Sequence, residues 1–94
     1  MILSYGDART GRFAAGERVK QFEPFRRQAE NRLVRLEVAA SLAEVAALPG
    51  NRLEKLVGNR KGQWSIRIND QWRICFTWAE GAPGPNNVEI VDYH

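Results

Sequence analysis

The chain carries its only histidine, His94, in the terminal run Asp92-Tyr93-His94. Imidazole is the side chain whose ordinary pKa lies nearest neutrality, so it can donate or accept a proton at physiological pH. Asp92 can orient or polarise a neighbour, and Tyr93 can donate a hydrogen bond or stack on a nucleobase. This run can therefore serve acid–base chemistry on a nucleic acid. The same three residues also fit an ordinary terminal strand followed by a histidine.

A pair of arginines is predicted to lie face to face. Residues 63–78 contain two alternating strands, and matching their apolar faces leaves Arg67 opposite Arg73. Like charges directly opposite each other are unfavourable. A bound phosphate would offset the repulsion, because guanidinium groups donate well to phosphate oxygens. Screening by water, or by a nearby carboxylate of Asp92 or Glu89, explains the pair equally well.

These residue types fit cleavage of RNA by its own 2′-hydroxyl. That reaction needs a base for the hydroxyl proton, a cation for the phosphorane charge and an acid for the leaving 5′-oxygen. Other chemistries have less support. One histidine and one cysteine cannot form a metal cluster of the usual spacing, no glycine-rich phosphate loop precedes a helix, and no nucleophile-elbow motif supports a serine triad. We expect neither a metal nor another cofactor.

Composition favours a single domain spanning residues 1–94, with 44% hydrophobic residues to form a core. The lone cysteine, Cys75, cannot form an intramolecular disulfide and fits a reducing compartment. No apolar run is long enough to span a membrane, and the first residues lack a signal-peptide core. We therefore expect a cytoplasmic protein. The net charge of +3, carried mostly by arginine, weakly favours a nucleic-acid partner.

The first half of the chain is predicted to be mainly helical. Residues 2–5 read as a short strand, and Asp7 is a plausible N-cap for a short helix. Pro24 suits the first position of a longer helix. The apolar stripe of that helix is Phe25, Ala29, Leu33, Leu36 and Ala40. Ser41 and Glu44 form a capping box, which predicts a further short helix before the Pro49-Gly50 turn.

The second half of the chain changes to a period of two. The predicted strands are residues 52–57, 63–68, 72–78 and 88–93. The apolar alternation pairs Ile68 with Trp72, Ile66 with Ile74 and Trp64 with Phe76. Helices followed by a meander of strands predict an α+β fold, with the helices on one side of a small antiparallel or mixed sheet.

Residues 49–94 resemble the HigB-type plasmid-maintenance killer toxins, a branch of the RelE-like superfamily. The distinctive segments are the hairpin, with the pattern GxWSIRxNxxWRI, and the DYH ending. Residues 1–5 resemble the first strand of the family more loosely, and residues 24–47 resemble its helices. Several separated segments therefore agree in order and spacing.

The resemblance implies a microbial-ribonuclease-like fold and ribosome-dependent cleavage of mRNA, which arrests translation. It also implies a HigA-like helix-turn-helix antitoxin that neutralises the toxin and represses the operon, so operator DNA is contacted only through the antitoxin. Asp92, Tyr93 and His94 fall on the terminal catalytic residues of the family. Arg73 falls on the arginine thought to stabilise the transition state, and Gln71 on a polar RNA contact.

One departure from the family pattern concerns the strand before the hairpin. Some relatives carry a histidine where this chain has Glu54 and a lysine where it has Val57. A carboxylate with a raised pKa can still accept a 2′-hydroxyl proton, so Glu54 is a candidate base or a plain surface residue. The candidate RNA contacts around the hairpin are Arg67, Gln71, Lys55, Arg60 and Lys61.

Three functions remain open. The first is a translation-dependent mRNA endonuclease, in which the end of the last strand lies beside the second hairpin strand so that imidazole, carboxylate and guanidinium converge on one phosphodiester. The second is a non-catalytic RNA- or ribosome-binding module that blocks translation by occupancy. The third is a structural partner of a DNA-binding repressor, in which Arg26, Arg27 and Arg35 contact the partner or DNA. None of them needs a membrane.

Overall fold

The computed structural model describes residues 1–92, so Tyr93 and His94 lie outside the described residues. The helices are α1 (Ala8–Ala14), α2 (Arg26–Val38) and α3 (Leu42–Ala47), with 3₁₀ helices at Lys20–Phe25 and Gly58–Arg60. The strands are β1 (Glu54–Lys55), β2 (Trp64–Arg67), β3 (Trp72–Thr77) and β4 (Asn86–Asp92). The strands form one antiparallel sheet in the order β1-β2-β3-β4, which confirms the α+β prediction. No helix among residues 1–92 is long and apolar enough to cross a membrane.

The register of the β2–β3 hairpin is the predicted one. Trp64 lies opposite Phe76, Ile66 opposite Ile74, and Arg67 opposite Arg73. Successive side chains of a strand alternate between the two faces of the sheet, so the apolar members share one face. That face packs against the helices in a single hydrophobic core.

The aromatic centre of this core is Phe22, which is fully buried. Its ring makes an edge contact with Phe13 at 5.3 Å between centroids and another with Trp72 at 5.7 Å. Phe25 packs against both Phe22 and Trp72. The cluster joins α1, the first 3₁₀ helix and β3, and so fixes the sheet against the helical layer.

Helix α1 begins where the sequence predicts. The Asp7 side chain accepts a hydrogen bond from the backbone N–H of Thr10 at 2.8 Å. The hydroxyl of Thr10, which is fully buried, accepts a bond from the backbone N–H of Ile90 at 2.9 Å. The same residue therefore belongs to the first turn of α1 and ties that helix to β4.

Pro24 does not begin the long helix. It lies inside the 3₁₀ helix Lys20–Phe25, and α2 starts at Arg26. At the other end α2 stops at Val38, which leaves Ala40 exposed and buries Ala39 instead. The rest of the predicted stripe is buried as expected, namely Phe25, Ala29, Leu33 and Leu36.

Two of the predicted strands are shorter than expected. The strand at residues 2–5 reduces to one parallel bridge between Tyr5 and Val88, because the chain turns at Gly6 to enter α1. The strand at residues 52–57 reduces to Glu54–Lys55. Arg52 has φ +47°, a left-handed backbone conformation outside the extended region of a regular strand.

The β3–β4 ladder contains an irregularity between Cys75 and Thr77. Beyond it, Arg73 lies opposite Val91 and Trp72 opposite Asp92. The final strand therefore does lie beside the second strand of the hairpin, as the sequence predicts. The same register decides which face of the sheet each of its side chains occupies.

Candidate functional site

The sheet has a polar face opposite the one that packs on the helices. Cross-strand pairing places Glu54 beside Ser65 and Arg67 beside Arg73 on this face. Glu89 of β4 lies on it too, because Glu89 pairs with Cys75 and Cys75 with Ser65. We call the surface formed by Glu54, Ser65, Arg67, Arg73 and Glu89 the polar face. It contains two of the predicted catalytic residues, Glu54 and Arg73.

The guanidinium of Arg73 is held in one orientation. Its Nε donates to the Ser65 hydroxyl at 2.7 Å, and its Nη2 donates to the backbone carbonyl of Arg52 at 2.7 Å. Nη2 also lies 3.9 Å from a carboxylate oxygen of Glu54. Arg73 is only 9% exposed. Within residues 1–92 its hydrogen bonds and ion pair use Nε and Nη2, which leaves Nη1 for a ligand.

Each of the two facing arginines has its own acidic partner. Arg67 pairs with Asp70 in the turn between β2 and β3, whereas Arg73 approaches Glu54. Glu89 instead pairs with Arg60 at 2.7 Å. Of the two carboxylates in the screening alternative, Glu89 lies on the polar face and Asp92 does not, whereas the carboxylates paired with the two arginines come from the hairpin turn and from β1.

Asp92 does not converge with Arg73. Directly opposed residues of an antiparallel pair share a face, and Asp92 lies opposite Trp72, which faces the core side of the sheet. Its carboxylate accepts a hydrogen bond from the Gln71 side-chain amide at 3.0 Å. The predicted convergence of carboxylate and guanidinium is wrong for Asp92, because the β3–β4 register sets them on opposite faces. The proposed roles of Tyr93 and His94 fall outside the described residues.

The remaining predicted RNA contacts are spread around β1 and the following turn. Lys55 pairs with Trp64, so it lies on the face opposite Glu54, with its ammonium 5.9 Å from the Trp64 ring. Arg60 donates to Gln63 as well as to Glu89. Lys61 is exposed just beyond the 3₁₀ helix Gly58–Arg60. Arg60 therefore reaches the polar face through Glu89, and Lys55 does not lie on it.

Sequence reasoning missed the groups that orient Arg73. Ser65 is buried, and its position two residues before Arg67 in an alternating strand is a signal that was available. The Arg52 contact uses a backbone carbonyl, which every residue type has, so the sequence does not predict it. Its neighbour Asn51 is fully buried and was also overlooked.

Cys75 lies on the same side of the sheet as the polar face and is buried there. Its thiol makes the stability of the fold depend on pH. Burial raises the pKa of its thiol from the ordinary 9.0 to about 11, opposed by Arg60 and Arg73 and assisted by Glu89. A thiol with a raised pKa keeps its proton in the folded state, so its contribution to stability is complete below pH 9.0 and is lost as pH rises through about 11.

We expect the free energy of unfolding to fall over this range, and to fall less steeply in Cys75→Ala. Urea titrations of both proteins at a series of pH values measure the difference. Parallel curves for the two proteins between pH 9 and 11 would contradict the assignment.

Comparison with known proteins shows the class of protein to which the chain belongs. Residues 11–94 match the model of a group of RelE-like toxins. More narrowly, that model describes the HigB-like toxin, the RelE-like toxin of the type II toxin-antitoxin system HigB, and this chain belongs to that family. The family assignment agrees with the resemblance of the hairpin and the DYH ending, and with the α+β fold.

A curated relative supports the assignment. The chain is 45% identical over 56 residues to Toxin HigB-1 of Vibrio cholerae serotype O1, strain ATCC 39315 / El Tor Inaba N16961. The aligned part is 55% of this chain and 59% of the relative. The match therefore spans less than two thirds of that protein.

Proposed function

We propose that the chain is a ribosome-dependent endoribonuclease that cuts mRNA without a metal ion and so arrests translation in the cytoplasm. We also propose that a HigA-like helix-turn-helix antitoxin neutralises it and is its only route to operator DNA. Membership of a type II toxin family supports both statements. The observation that carries the catalytic part is the oriented guanidinium of Arg73, with Nη1 unused by the described residues.

A fixed guanidinium suits the phosphorane formed when a 2′-hydroxyl attacks phosphorus. A donor that is already oriented stabilises the developing charge without reorganising during the reaction. Arg67 lies opposite Arg73 and adds a second cation to the polar face. Its ion pair with the exposed Asp70 is open to water, so a phosphate can compete for it.

The ribosome is proposed as the source of alignment. The polar face is part of an open sheet, and Asp92 lies on its other side. Placing a 2′-hydroxyl in line with its phosphorus requires precise positioning of the substrate, and such positioning supplies a large part of a rate enhancement. We therefore expect the purified protein to cut naked RNA poorly.

The register of β3 and β4 also supports a second function. The separation of Asp92 from Arg73 favours a non-catalytic binder that blocks translation by occupying the ribosome. The arginines of the polar face would serve such a binder as well. The two functions differ in one product, since only a nuclease creates new RNA ends.

Mapping of 5′ ends in cellular mRNA after a brief pulse of expression tests the proposal. We expect new ends inside translated regions, in frame with the codons. A matched reporter whose start codon is removed should stay intact, and co-expression of the antitoxin should abolish the cuts. Arrest of translation without new ends would overturn the nuclease and support occupancy.

Glu54 is the proposed base, since its carboxylate lies 3.9 Å from Arg73 on the polar face. Its side chain is 57% exposed, so water can also accept the 2′-hydroxyl proton. The expected effect of removing the carboxylate on the cleavage rate is therefore moderate. We expect Glu54→Gln to slow cleavage of ribosome-bound mRNA by about tenfold, below the usual range for a general base. Single-turnover cleavage on programmed ribosomes measures it.

The matched control for this substitution is Glu80→Gln, which removes an exposed carboxylate from the loop before β4. Its rate should equal that of the unchanged protein. If Glu54→Gln also cleaves at the full rate, the carboxylate is idle and is only a surface residue at the edge of the sheet.

A further inference from the structure

We infer that Ser65 and the backbone carbonyl of Arg52 are positioning groups, which fix the guanidinium of Arg73 so that Nη1 meets a phosphate oxygen. The inference rests on the proposed function, because it assumes that Arg73 contacts the scissile phosphate. It assigns a role to two residues outside the DYH ending.

The first contact is made by a buried hydroxyl. Ser65 is fully buried in β2, and Arg73 Nε donates to its Oγ at 2.7 Å. The other side chain next to the guanidinium, that of Glu54, is more distant at 3.9 Å and is mostly exposed. Ser65 is therefore the side chain that sets the orientation of Nε, and the strand fixes where its hydroxyl lies.

The second contact depends on an unusual backbone conformation. Arg52 has φ +47°, which is disfavoured for a residue with a Cβ and persists only where the surroundings hold it. In this conformation its carbonyl accepts from Arg73 Nη2 at 2.7 Å. The chain thus adopts a disfavoured geometry at the point where a carbonyl meets the guanidinium.

Asn51 shows what holds that geometry. Its Nδ2 donates to the carbonyl of Val45 at 3.1 Å, and its Oδ1 accepts from Arg35 at 2.9 Å. Its own carbonyl accepts from the backbone N–H of Arg67 at 2.7 Å. Residue 51 is therefore tied to α3, α2 and β2 at once. The next peptide, which carries the Arg52 carbonyl, starts from a fixed point.

A guanidinium held at Nε and Nη2 can rotate little about its last side-chain bonds. The direction of Nη1 is then set by the protein before the RNA arrives, and less ordering remains to be done in the transition state. Loss of the Ser65 hydroxyl would remove the contact at Nε and leave only those at Nη2, about which the planar group can turn. Such a misplacement of a reacting partner reduces the rate without abolishing binding.

A double-mutant cycle on programmed ribosomes tests this role. We expect Ser65→Ala to slow single-turnover cleavage by about tenfold and Ser65→Thr, which keeps the hydroxyl, to restore most of the rate. In an Arg73→Ala background Ser65→Ala should have no further effect, because its action passes through the missing guanidinium. An equal fold-loss in both backgrounds would overturn the inference.

The matched control is Ser4→Ala, which removes a hydroxyl bonded to Asn86 and Asn87 and not to Arg73. It should lose little activity and should lose the same small amount in both backgrounds. A loss as large as that of Ser65→Ala, cancelled in the same way by Arg73→Ala, would show that the cycle reports on general stability and would overturn the assignment.

A readout independent of cleavage separates this inference from the proposed function. The Nε–H proton of Arg73, assigned with Arg73→Lys, should exchange slowly with water in NMR spectra and faster in Ser65→Ala. Slow exchange together with absent cleavage would overturn the proposed function and support the contact. Cleavage together with fast exchange in the unchanged protein would overturn the positioning role alone.

Discussion

Replacing His94 by alanine is expected to slow cleavage of ribosome-bound mRNA by about 10²–10⁴-fold, the usual contribution of a general acid or base. His94 is the only imidazole of the chain, and no other side chain has an ordinary pKa so near neutrality. The last described residue of β4 is Asp92, whose carboxylate accepts a hydrogen bond from the Gln71 side chain.

Two measurements on His94→Ala distinguish the candidate functions. Cleavage is followed by primer extension on programmed ribosomes, and binding by co-sedimentation with ribosomes. We expect binding to be retained, because the arginines of the polar face are unchanged. His94→Gln should lose as much cleavage as His94→Ala, since an amide forms hydrogen bonds but transfers no proton at neutral pH.

Gln28→Ala, an exposed change on α2, is the control for substitution as such. It should cleave at the full rate. Undiminished cleavage by His94→Ala would refute proton transfer by the imidazole. Undiminished arrest of translation by a variant that no longer cuts would instead show that occupancy suffices for inhibition.

Replacing Phe22 by alanine is expected to lower the free energy of unfolding by about 3–5 kcal/mol. Phe22 is fully buried and makes ring contacts with Phe13, Phe25 and Trp72. Its ring also lies 4.9 Å from the guanidinium carbon of Arg9. Truncation removes all four contacts and leaves a cavity between the helices and β3.

Urea unfolding, followed by tryptophan fluorescence, measures this loss. A domain of this size is stable by about 5–15 kcal/mol, so the variant should lose a large part of its stability and unfold at a clearly lower urea concentration. Val38→Ala is the matched control, because Val38 is 74% exposed and its truncation should change stability by less than about 0.5 kcal/mol. A loss below about 1 kcal/mol for Phe22→Ala would contradict the central place of this ring in the core.

The hairpin was predictable because its signal is local. Strict alternation over two adjacent strands leaves only one register in which both apolar faces are buried, and the facing of Arg67 and Arg73 follows from it. The capping residues Asp7 and Ser41 were predictable for a similar reason, since each satisfies a backbone N–H three residues ahead. These features need no knowledge of the rest of the chain.

The start of α2 and the face of Asp92 were not predictable in this way. Tertiary packing of Phe22 and Phe25 tightens the preceding turn into a 3₁₀ helix, although Pro24 suits an α-helical first position. The face of Asp92 depends on a ladder that contains an irregularity near Cys75. A shift of one residue there reverses every later side chain.

The arrangement around Arg73 was predictable only in part. The hairpin pattern and the family resemblance indicate the arginine itself. The contact of the Arg52 carbonyl has no sequence signal. Position 52 is neither glycine nor asparagine, the residues that usually indicate a left-handed backbone. The position of a functional side chain was therefore within reach of sequence reasoning, whereas its orientation was not.

Strand β4 also has a consequence for how the molecule folds. It contacts the beginning of the chain through Ser4 with Asn86 and through Thr10 with Ile90, pairs separated by 82 and 80 residues. Bringing such distant segments together costs chain entropy before any contact repays it. We therefore expect closure of the two ends to be a late kinetic step, preceded by the hairpin whose partners are near neighbours along the chain.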